Sequence, residues 1–493
     1  MQHLRADVDA RGPDGADLPV TPPKLDLALT AAGIAAAVAL AIALRLPDLA
    51  HGVDGDEVAN LVPGGFLWQV YDAESLVNPP LIRWVILLCG GADRLGAARV
   101  VSLVANVVGV ALGAGLARAV GGRWWCAWLA GALLAMDPQM VHSSVTARAY
   151  GLWAGLLSLH LVALTTWVAR PGPRAALAVA CTAVVLPWVH YLSVPWLLGV
   201  GLLGALALPG RRTLPLLYAP AAVAFLPLFW PITQHVSRRE PPQHGIGAVL
   251  DQVVGLDLGV NAAPMWHAGA ADVLLNPSAP ALTVLVVLLA CTLSWRRMTP
   301  ALRVLVIAAW TLPFAVIPFA AVRHVRAPVA VGMVVLVAPV IAAAPTLLRW
   351  RPARGAAAVA LAVLFATFLR ARASADVGVQ RASDAEREIA VAILDGTFPP
   401  GDLALCPKGL VLPMVYDLTG QHARALPDAP SCHGIHDCEQ VQGRRLIPCD
   451  APAAGIAPNV IVFGDPIEVD VPGCARAPSP AGSTRFVCAT PAE

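Results

Sequence analysis

The chain has 493 residues, 57% of them hydrophobic and 13% charged, with a mean hydropathy of +0.67. Those values exclude an ordinary soluble protein, because apolar runs of about 17–25 residues, each long enough to cross a hydrocarbon core of roughly 30 Å, recur along the chain. The net charge of +2 is uninformative; the apolar runs make a lipid bilayer an expected partner, and nucleic acid is not expected.

Residues 1–24 are polar and rich in Pro, Gly and Asp, and are expected to form a disordered cytoplasmic tail. Only two lysines occur, Lys24 and Lys408, so arginine carries the positive charge; this bias suggests a GC-rich bacterial genome. The first apolar run, from Leu25 to Leu46, has no small-residue cleavage site after a short core, so it reads as an anchor rather than a signal peptide.

A first outer loop follows over 47–94. It holds three carboxylates within four residues, Asp54, Asp56 and Glu57, and later Asn78-Pro79-Pro80-Leu81. The apolar stretch Leu81–Leu88 is too short to cross and reads as an interfacial helix. Further spans are expected near 95–117, 125–141, 149–169, 175–192, 194–209, 214–231, 279–295, 301–320, 329–348 and 355–370.

That makes about eleven crossings over 25–370. With the amino terminus inside, the basic turns at Arg118/Arg123, Arg170/Arg174, Arg211/Arg212, Arg296/Arg297 and Arg349/Arg351/Arg354 all fall on the cytoplasmic side. The acidic loop, the 232–275 loop, the Arg323–Arg326 turn and everything after about residue 371 then lie outside.

Residues 371–493 form the last unit. Apolar runs give way to polar, Pro-rich sequence with six cysteines, Cys406, Cys432, Cys438, Cys449, Cys474 and Cys488. An even set in an exported segment favours disulfides, with fifteen pairings left open. His433, His436 and Cys438 also invite a zinc site, although their spacing matches no zinc template well. An amphipathic helix over Ser383–Leu394 and strands at Leu403–Cys406, Asn459–Phe463 and Arg485–Cys488 predict a small extracytoplasmic α/β domain.

The outer ends of the spans carry most of the unusual chemistry. Asp137-Pro138, His142 and Ala147-Arg148-Ala149-Tyr150 lie beyond the third span, Val189-His190-Tyr191 beyond the fifth, and Arg323-His-Val-Arg326 before the tenth. Arginine on this side runs against the topological bias, and its planar fork suits phosphate oxygens at headgroup depth. Each of these residues alone is equally at home as an interfacial hydrogen-bonding group or in a salt bridge.

Taken in order, Asp56-Glu57, Asn78-Pro79-Pro80-Leu81, Arg99-Val-Val-Ser102, Ala147-Arg148-Ala149-Tyr150 and Val189-His190-Tyr191 resemble the motifs of the GT-C superfamily of polytopic glycosyltransferases. The similarity is to the bacterial branch that includes protein O-mannosyltransferase-like enzymes and the lipid-A aminoarabinose transferase. It covers roughly residues 45–195 and, more loosely, 320–345. The sequence departs from the usual motifs at Asn78, where the branch has histidine, and at Ala149, where it has proline.

The resemblance implies an all-α polytopic fold and inverting transfer of a monosaccharide from a polyprenyl-phosphate donor to an extracytoplasmic glycan, lipid or protein. Asp56 would be the base, with Glu57 orienting the site or sharing a divalent cation, a point on which related enzymes differ. Arg148, Arg323 and Arg326 would hold the phosphate, while Tyr150, His190, Tyr191, Asn78 and Asp137 would contact substrate. Two other readings stay open: a transporter, which should show ionisable groups near the bilayer midplane or repeated halves, and a non-catalytic lipid-binding scaffold.

Overall fold

The computed structural model describes residues 22–50, 94–146, 148–238, 289–316 and 333–349, helical positions at 354, 355 and 358, and seven strands between 403 and 488. Asp54, Asp56, Glu57, Asn78, Arg323, Arg326, the Leu81–Leu88 and Ser383–Leu394 helices, the amino-terminal tail and Cys406, Cys432, Cys438 and Cys449 lie outside the described residues.

Ten α-helices of eight or more residues organise the described part. They are α1 (Pro23–Arg45), α2 (Arg94–Gly121), α3 (Trp124–Met136), α4 (Pro138–Val145), α5 (Ala149–Ala169), α6 (Pro173–Val189), α7 (Ser193–Ala207), α8 (Leu214–Arg238), α9 (Pro300–Val316) and α10 (Met333–Arg349). A 3-10 turn, Leu46–Ala50, continues α1, and residues 289–293 are helical before a second 3-10 turn, Trp295–Arg297. Among the described residues, Pro23–Arg45, Gly96–Gly121 and Ala149–Ala169 are long and apolar enough to cross a membrane, and six more apolar helices are shorter. Large apolar side chains such as Leu206, Leu216 and Val223 are exposed on the outside of the bundle, as suits a surface facing lipid.

The third span departs from its expected extent of 125–141. It stops at Met136, because Pro138 has no N–H to continue the ladder and drives Asp137 to an extended ψ of 121°. Asp137 then caps the short α4, its Oδ1 accepting from the Met140 N–H at 2.7 Å. Gly122 (φ 73°) and Gly210 (φ 72°) take the left-handed conformation that turns the chain after α2 and after α7.

Small residues set the helix contacts, since apolar side chains meeting in lipid gain little from hydrophobicity and must gain from close packing. Gly151 and Gly155 of α5, four residues apart, lie directly on the backbone of α2. A Cβ at Gly151 would stand 2.8 Å from the Ser102 carbonyl oxygen, and one at Gly155 would collide with that of Ala105. Gly33, Ala37, Ala41 and Arg45 form the buried stripe of α1, and a Cβ at Gly131 of α3 would meet that of Ala37 at 2.5 Å.

Both ends of α1 are tied by arginine. At its start, Arg118 pairs with Asp26 and donates to Thr30 Oγ1 at 3.2 Å. At its end, the fully buried Arg45 donates from Nη1 to the carbonyls of Ala41 (3.0 Å) and Ala135 (2.8 Å). A charge is well placed there, because the last carbonyls of α3 lack helical donors and form the negative end of its dipole.

A polar group within the spans was not anticipated from the sequence. His160 of α5 is buried, its Nδ1 2.8 Å from Thr182 Oγ1 of α6 and its Nε2 3.2 Å from Tyr218 Oη of α8. Both ring nitrogens are thus satisfied, as buried polar groups must be.

The strands fall in two sheets. One has the order β1 (Leu403–Leu405), β4 (Arg444–Pro448), β3 (Glu439–Val441), β2 (Arg424–Ala425), with β1 and β4 parallel; the other runs β5 (Asn459–Phe463), β7 (Ser483–Cys488), β6 (Cys474–Ala477), all antiparallel.

Candidate functional site

The described motif residues come together where α2, α4, α5 and the α6–α7 turn meet. Ser102 Oγ donates to the carbonyl of Arg148 at 3.2 Å, joining the Arg99–Ser102 motif to the Arg148–Tyr150 motif. Arg99, three residues earlier and almost one helical turn away, donates from Nη1 to the Leu49 carbonyl at 2.9 Å. This places the base of the acidic loop and the start of α5 on one brace. Arg148 is the N-cap residue of α5 in extended conformation, with a half-buried side chain.

Tyr150, Trp153, His190 and Tyr191 form an aromatic cluster. The imidazole of His190 lies 4.3 Å from the Trp153 ring at 16°, 5.0 Å from Tyr191 at 23° and 5.6 Å from Tyr150 at 36°. Trp153 is itself held by its indole N–H, which donates to Ser193 Oγ at 2.8 Å. The sequence pointed to Tyr150, His190 and Tyr191 but passed over Trp153 and Ser193. Trp153 follows Tyr150 by three positions on the same helix, a spacing that puts both on one face.

His190 sits in the turn between α6 and α7, and its surroundings assign its chemistry. The Leu192 N–H donates to Nδ1 at 3.3 Å, which leaves the proton of the neutral ring on Nε2. With Nδ1 accepting, the imidazole is a hydrogen-bond donor through Nε2 and not a cation.

Asp137 is fully buried at the α3–α4 junction, where it acts as a helix cap. Near it, Arg45 reaches the carbonyls of Leu134 (3.4 Å) and Ala135 (2.8 Å). Asn106 of α2 is also buried, donating weakly to Met140 Sδ at 3.8 Å. Neither Arg45 nor Asn106 was singled out as a site residue from the sequence, although Arg45 is a charge at the end of an apolar run. Among the described residues no group of three or more His, Cys, Asp or Glu side chains is arranged to hold a metal ion.

The arrangement offers a neutral imidazole donor, aromatic surface and an arginine beside the base of the acidic loop. No protein-family profile matches the chain, and no curated protein matches it in sequence.

The fold does have solved counterparts. It is similar to ArnT from Cupriavidus metallidurans in the apo state, with 13% identity over 93% of this chain and 98% of that one and a TM-score of 0.53. The same protein bound to undecaprenyl phosphate matches over the same shares at 13% identity and a TM-score of 0.49. The oligosaccharyltransferase AglB from Archaeoglobus fulgidus, in complex with an inhibitory peptide and a dolichol-phosphate, matches at 12% identity and a TM-score of 0.48, over 80% of this chain and 64% of that one. At these identities the likeness is one of fold.

Proposed function

We propose that this chain, an integral membrane protein with a GT-C-like glycosyltransferase fold, moves a monosaccharide from a polyprenyl-phosphate carrier to an extracytoplasmic acceptor. The observation that carries the reading is the meeting of three separate motif segments, Arg99–Ser102, Arg148–Tyr150 and His190–Tyr191, in one cluster of helix ends. A structural role for each segment singly would not require them to share one place.

The chemistry needs two kinds of help. The donor's leaving group is already a stable phosphate anion, so it requires cationic hydrogen-bond donors more than a general acid; Arg148, Arg323 and Arg326 take that role. The acceptor hydroxyl must lose its proton as it attacks. Asp56 takes that proton while the new oxygen–carbon bond forms at the anomeric carbon and the carbon–oxygen bond to phosphate breaks. The polyprenyl phosphate leaves as its anion, and the single displacement inverts the anomeric centre. His190 offers a neutral N–H to a sugar or phosphate oxygen, and Tyr150 and Tyr191 line the same side.

The test is a purified preparation in lipid nanodiscs supplied with a panel of polyprenyl-phosphate sugars and with lipid, glycan and peptide acceptors. The expected result is release of polyprenyl phosphate together with a sugar-sized mass gain on one acceptor. Uptake of a labelled sugar into vesicles without any cleavage of the donor would overturn the enzymatic reading in favour of transport.

A further inference from the structure

We propose that, of the six cysteines after residue 400, Cys474 and Cys488 are joined to each other. The sequence leaves fifteen pairings, and strand register narrows them. In the β5–β7–β6 sheet, β6 and β7 run antiparallel with Cys474 directly opposite Cys488. Residues opposite one another in an antiparallel pair have Cα atoms about 4.5 or 5.5 Å apart, and both values lie within the roughly 4.4–6.8 Å that a disulfide spans.

The pairing also makes physical sense of the segment. Its strands are two to six residues long, and a cross-link holds short strands in register. The bridge forms as two thiols give up two protons and two electrons to an extracytoplasmic disulfide-bearing oxidant, which is released as its dithiol.

The experiment is disulfide mapping by mass spectrometry on the full-length protein, purified from its own membranes with free thiols alkylated at lysis. Trypsin leaves Cys449 and Cys474 on one peptide, because no Lys or Arg lies between Arg445 and Arg476; a second cleavage at Asp450, Asp465, Glu468 or Asp470 separates them. The expected linked peptides are those holding Cys474 and Cys488, with Cys449 on neither.

Cys474→Ser should expose one new alkylatable thiol, at Cys488. A link of Cys474 or Cys488 to any other cysteine overturns the assignment, as does alkylation of either in the parent. None of these outcomes depends on whether the protein transfers a sugar, so the map and the transfer assay fail separately.

Discussion

Asp56→Asn is expected to lower sugar transfer by at least about 10²-fold, with normal expression and membrane insertion, because the amide keeps the size and hydrogen bonding of the side chain but removes the base. The loss should appear in kcat more than in KM, since proton removal matters as the acceptor attacks and contributes little to holding the donor. Asp54→Asn, on the other side of Gly55, is assigned to solvation and should be mild. Glu57→Gln should fall between the two if Glu57 orients the site, and should match Asp56→Asn if the pair shares a cation; readdition of divalent metal to chelated protein distinguishes those cases. An Asp56→Asn protein with near-full transfer would move the base elsewhere. Asp137 would then be a poor substitute, because one of its oxygens is committed to the Met140 N–H.

Gly155→Leu should cost about 3 kcal/mol or more and break the preparation into aggregated or polydisperse material. Even the first added carbon would strike the Ala105 carbonyl, with the Cα of the same residue at 3.3 Å, and backbone cannot swing aside as a side chain can. Gly155→Ala poses a closer contest. Alanine favours a helix by about 1 kcal/mol over glycine, whereas overpacking costs about 1–3 kcal/mol, so the net effect should still be destabilising.

Gly115 of α2 is the control. An added Cβ there meets only Ile34 Cδ1, at 3.9 Å, so Gly115→Ala should be neutral or should raise the melting temperature in detergent. If both alanine variants behave alike, helix propensity decides and the close approach of α2 and α5 does not. Because that approach also places Ser102 against Arg148, Gly155→Ala should weaken any activity of the neighbouring cluster beyond what the lost stability explains.

Much of the architecture is a local property of the chain and could be read from it. Whether a stretch crosses lipid depends on its own length and apolarity, so the span expected at 149–169 coincides with α5. The break at Asp137 was also in the sequence, carried by Pro138, but the apolar run continued past it and hydropathy alone hid the stop. Motif order likewise marked Arg148, Tyr150, His190 and Tyr191 before any geometry was known.

What the sequence left open depended on which element lies beside which. Hydropathy says that a helix is in lipid and nothing about its neighbour, because every apolar surface there is equally content; the choice is made by shape, as where Gly151 and Gly155 admit the backbone of α2. Only that packing gives His160 its Thr182 and Tyr218 partners, puts Arg45 under the last carbonyls of α3, and stacks Trp153 on His190. Strand register works in the same way on two of the six cysteines. Their number and setting favoured cross-links, but only the pairing of β6 with β7 sets Cys474 opposite Cys488, because a partner across a ladder is fixed by hydrogen bonds between segments that no local stretch of sequence contains.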